Sequence, residues 1–168
     1  MNSFIYYCLA FLFLIIQTSA LDSFIPSAIS PDLLSVLVVY IAMTRKFKQG
    51  LIFILFSSYV FSLHTSINFF VFSLFYIVAY SVARYISLNF YTNDLKYLFL
   101  SISMPVFFSK ITMMFWLGIN TFSLFLEHFF YVIVCTILTS AAGIILFRLF
   151  NWIDVVTKKI NIESVVEE

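Results

Sequence analysis

Charge, glycine and proline are scarce in this 168-residue chain: only 10% of residues are charged, and there are three Gly, three Pro and two Cys. With 63% hydrophobic residues and a mean hydropathy of +1.08, so little charge excludes a soluble domain, because the surface left after folding must still be wetted. The shortage of Gly and Pro leaves little material for linkers and points to one compact membrane domain. A formal net charge of +1 supplies no whole-chain field for nucleic acid or acidic substrates. Cys8 and Cys135 lie inside apolar runs without a spaced Cys or His partner, which argues for helix packing over a disulfide or a metal. GxSxG, P-loop, GxGxxG, HExxH and paired CxxC motifs are missing. Glu127-His128 is too sparse for a metal site, since His64 has no Asp, Glu or Cys near it in sequence. Neither catalysis nor a cofactor is expected.

What is present is a series of apolar runs. Ser3 to Ala20 carries no charge and is long enough for one crossing of a hydrocarbon core of roughly 30 Å. Its Thr18-Ser19-Ala20 end is like a signal-peptide cleavage site, yet no Lys or Arg precedes the run, so a retained first helix is expected. Residues 21–31, with two prolines, form a connection. A second helix, with Asp32 as a candidate cap, reaches spanning length if it starts near Ser27, and it ends at Arg45-Lys46-Phe47-Lys48. From Gly50 to Ala83 the chain fits a tight pair of helices turning at Ser62–Ser66, the first of them thin for a full crossing. Tyr97–Gly118, holding Pro105 and Lys110, is the fifth run, and Phe122–Phe150 is the sixth.

The expected fold class is therefore all-α, a polytopic membrane protein of about six transmembrane helices. Its transmembrane domain covers 1–150, and a cytoplasmic tail covers 151–168. Trp152, Ile153, Val156 and Ile160 give that tail the spacing of an interfacial amphipathic helix. With the N-terminus inside, Arg45, Lys46, Lys48, Arg84, Lys96, Arg148, Lys158 and Lys159 all fall on the cytoplasmic side, as the positive-inside rule requires. The C-terminus is then inside as well.

Lys110 is the one basic residue within an expected span. A structural ion pair with Glu127, which differs in depth by roughly 6 Å if the turn lies near Asn120, is preferred over snorkelling or transport chemistry. Cys135, Thr139 and Gly143 form a small-residue stripe at four-residue spacing, suited to close helix packing inside the protein or, second, to a partner face. Pro105 is expected to bend its helix, with Ser101 and Ser103 able to satisfy freed backbone groups.

The order of parts resembles the rod-shape-determining protein MreD family. The resemblance rests on Pro31-Asp32-Leu33-Leu34 leading an apolar helix with Val38-Val39-Tyr40, on a basic turn ending in Gly50, and on Ser62-Leu63-His64-Thr65 before the fourth helix. Where that family usually carries a second Gly, an Asp, and a Gly before Leu-His, this chain has Ile54, Ser58 and Ser62. The resemblance implies a six-helix fold like the substrate-binding S-components of energy-coupling-factor (ECF) transporters. It also implies a non-enzymatic scaffold in the bacterial inner membrane that binds an MreC-like protein and is linked through it to MreB, RodA and a penicillin-binding transpeptidase. The rival reading, a vitamin-binding S-component, would draw on Trp116, Asn120, Glu127, His128 and His64.

Overall fold

The structure, a computed structural model, describes residues 3–21, 30–65, 68–89, 95–116 and 122–156. Helix α1 (Ser3–Ile15) continues as a π-helical segment, Ile16–Leu21. It is followed by α2 (Leu33–Thr44), α3 (Phe47–His64), α4 (Phe69–Asn89), α5 (Leu95–Trp116) and α6 (Phe122–Val156), with no strand among the described residues. In the π segment, the Thr18 and Ser19 hydroxyls donate to the carbonyls of Leu14 and Ile15, competing with the backbone pattern of a regular helix.

Helix α2 is the axis of the bundle. Every residue from Leu34 to Ala42 is buried, and the helix touches all five others. A helix that is apolar on all sides has to sit at the centre, because it has no face to give to water. It starts at Leu33 rather than near Ser27, because the Asp32 carboxylate accepts the Ser35 N–H at 3.0 Å and caps the first turn. The resulting 12 residues reach only about 18 Å, short of a hydrocarbon core of roughly 30 Å.

Among the described residues, three helices are long and apolar enough to cross a membrane: Phe69–Asn89, Lys96–Trp116 and His128–Val156. The apolar stretches Ile5–Ser19, Leu33–Thr44 and Phe47–Leu63 are shorter. Phe70, Phe108, Phe115, Phe130 and Ile145 are exposed, as lipid-facing side chains are. The boundary expected after Phe150 falls inside α6, which runs unbroken to Val156. Residues 151–156 prolong that helix because Asp154, the charge that marks a tail in the sequence, is neutralised within the bundle. Ile160 and the rest of the tail lie outside the described residues.

Two close approaches set the packing. A Cβ at Gly50 would overlap the Tyr80 ring, so glycine lets α3 lie against α4. At Gly143 a Cβ would meet Ile102 Cδ1 at 3.0 Å and Val36 Cγ1 at 3.4 Å, which brings α6 close to both α5 and α2. Pro105 is buried within α5. Ser101 and Ser103 donate to the carbonyls of Tyr97 and Leu100, so neither donates to the Ser101 carbonyl that the proline leaves without its usual N–H.

Candidate functional site

Among the described residues, the charged side chains inside the bundle gather at two levels of α2. The first is its N-terminus. Asp32 is buried, with Oδ1 accepting from the Ser35 N–H at 3.0 Å and Oδ2 from the Ser35 hydroxyl at 2.7 Å. Lys110 Nζ from α5 stands 3.5 Å from Asp32 Oδ2, their side chains 24% and 4% exposed, and 5.5 Å from the centre of the Phe75 ring on α4. Helix α6 closes the site: Thr139 Oγ1 accepts the Asp32 N–H at 3.0 Å, and the Cys135 thiol donates to the Ser30 carbonyl at 3.2 Å. Counted along α2 from Arg45, or along α5 from Lys96, this hub lies about 20 Å from the basic end of the bundle.

Lys110, which the sequence reading pairs with Glu127, has Asp32 as its described carboxylate. Residue 127 lies in α6 two turns before Cys135, and its side chain lies outside the described residues. In the sequence Asp32 shows as a cap, since nothing local connects residue 32 to residue 110 across the three helices between them. The stripe of Cys135, Thr139 and Gly143 is buried against α2 and α5 of the same chain.

The second level is the C-terminus of α2. One Arg45 nitrogen lies 2.6 Å and 2.9 Å from the two carboxylate oxygens of Asp154. The Tyr40 hydroxyl donates to the same carboxylate at 2.7 Å. The Tyr6 ring of α1 lies 5.1 Å beneath the Arg45 guanidinium, in cation–π geometry. Arg84 of α4 donates to the carbonyls of Ala42 and Arg45, satisfying the end of α2. Four helices are thus tied at one end through α2. The clue in the sequence is a lone Asp within an apolar stretch, where a buried charge demands a partner.

Near the clamp, Tyr6, Tyr7, Ile41, Arg45, Gln49 and Phe53 line a cavity of about 20 Å³, room for about one water. No group of three His, Cys, Asp or Glu able to hold a metal occurs among the described residues. Of the residues the transporter reading draws on, Trp116 and His128 are exposed, Asn120 lies outside the described residues, and so do the side chains of Glu127 and His64. Chemically, both levels join helices: their carboxylates, hydroxyls and cations meet other parts of the chain. Comparison with known proteins finds no matching family, no matching curated protein and no matching solved structure.

Proposed function

We propose that this chain is a non-enzymatic scaffold of the bacterial cell-elongation machinery, embedded in the inner membrane and binding an MreC-like single-pass protein. In this reading all six helices cross or enter the bilayer with both termini in the cytoplasm, and the short α2 is sheltered by its neighbours. The observation that carries the proposal is how the buried polar groups are used. The Asp32–Lys110 hub and the Arg45–Asp154 clamp hold helices together. A body of this kind offers its outer faces to partners.

The residues behind the MreD resemblance also fit a framework role. Pro31-Asp32 leads into the hub, Gly50 admits Tyr80, and Tyr40 completes the clamp. Depleting the protein in its host should turn rods into spheres, and an MreC-like protein should co-purify with the tagged chain. Unchanged cell shape, or a vitamin retained through purification, would overturn the scaffold reading.

A further inference from the structure

We propose that the basic end of the bundle is a docking surface for anionic lipid headgroups. The elements that meet there are the α2–α3 turn, the end of α4, the start of α5 and the end of α6. Lys46, Lys48, Lys96 and Arg148 are all exposed on this rim. The described carboxylate at the same end, Asp154, is buried against Arg45, and Arg84 turns inward to the carbonyls of Ala42 and Arg45. Lys48 and Arg148 thus give the rim exposed positive charge, complementary to phosphate.

Aromatic side chains decide between a lipid and a soluble acidic partner. Phe47, 57% exposed, stands between Lys46 and Lys48, and the exposed Tyr97 follows Lys96. Trp152, 65% exposed, lies four residues after Arg148, on the same face of α6. Exposed cations and exposed rings at one end of the bundle, with Arg148 and Trp152 sharing a face of α6, match the boundary where headgroup phosphate gives way to acyl chain. Each cation adds attraction to an anionic leaflet, and salt weakens it. The inference rests on the membrane reading and is independent of the scaffold role.

The chain carries its own probes, because it has two tryptophans. Trp152 lies on the basic rim, and the exposed Trp116 lies at the far end of α5, about 30 Å from Lys96. The full-length protein, as Trp116→Phe or Trp152→Phe, is reconstituted into vesicles containing either phosphatidylglycerol or phosphatidylcholine with brominated chains, at equal mole fraction. Brominated phosphatidylglycerol should quench Trp152 roughly twofold more than brominated phosphatidylcholine, with no such preference at Trp116. The preference should disappear in Lys48→Gln/Arg148→Gln and at about 0.5 M salt. It should survive replacement of chloride by inorganic phosphate at equal ionic strength. Equal quenching of Trp152 by the two lipids overturns the proposal and leaves the rim to an acidic protein. Loss of the preference in inorganic phosphate would make it a site for free anions instead. Quenching of neither tryptophan by either lipid would overturn the membrane reading itself.

Discussion

Burying a carboxylate in an apolar bundle costs free energy unless donors surround it, and Asp32 has the Ser35 N–H, the Ser35 hydroxyl and the Lys110 ammonium. Removing one charge of such a pair strands the other, whereas removing both does not. Asp32→Asn keeps a capping side chain and should lower stability in detergent by about 2–3 kcal/mol. In a Lys110→Met background the same change should matter by less than about 1 kcal/mol. Equal losses in the two backgrounds, measured by thermal unfolding, would show that the 3.5 Å approach carries no coupling.

Among the elements, α2 is too short to anchor itself in a bilayer, so its position depends on what grips its ends. Hub and clamp hold it, one at either end, and Ile102 and Val36 close around Gly143 between them. The clamp pair is almost dry, with side chains 10% and 11% exposed, so losing Asp154 alone leaves a buried guanidinium beside Tyr6 and Tyr40. Asp154→Ala and Arg45→Ala should each destabilise by about 3 kcal/mol, and the double variant by clearly less than their sum. Strict additivity in the cycle would mean that the end of α6 is held by its apolar contacts, such as Phe150 against Phe13 and Tyr40.

On the scale of the whole molecule, the basic groups gather at one end because chain reversals bring them there. The α2–α3 turn, the end of α4 and the end of α6 meet through Arg45, Arg84 and Asp154. With that end facing the cytoplasm, cysteines placed at Gln49 and Asn93 should be shielded from an impermeant reagent in intact cells. Cysteines at Ser66 and Asn120 should react, all in a background with Cys8 and Cys135 changed to Ser. The opposite labelling would invert the orientation, and recovery of the chain in the supernatant without detergent would remove the bilayer altogether.

Composition and periodicity determined the helical class, the apolar runs and the capping role of Asp32, because these depend on residues near in sequence and on how poorly they suit water. The six runs correspond to six helices, though three of them lack spanning length by themselves. What the tertiary structure decided is which distant charges meet. Lys110 meets Asp32 from 78 residues away, and Arg45 meets Asp154 from 109. No local pattern encodes such pairs: a lone charge in an apolar run announces that it needs a partner, and only the packing of helices around α2 determines which one it reaches.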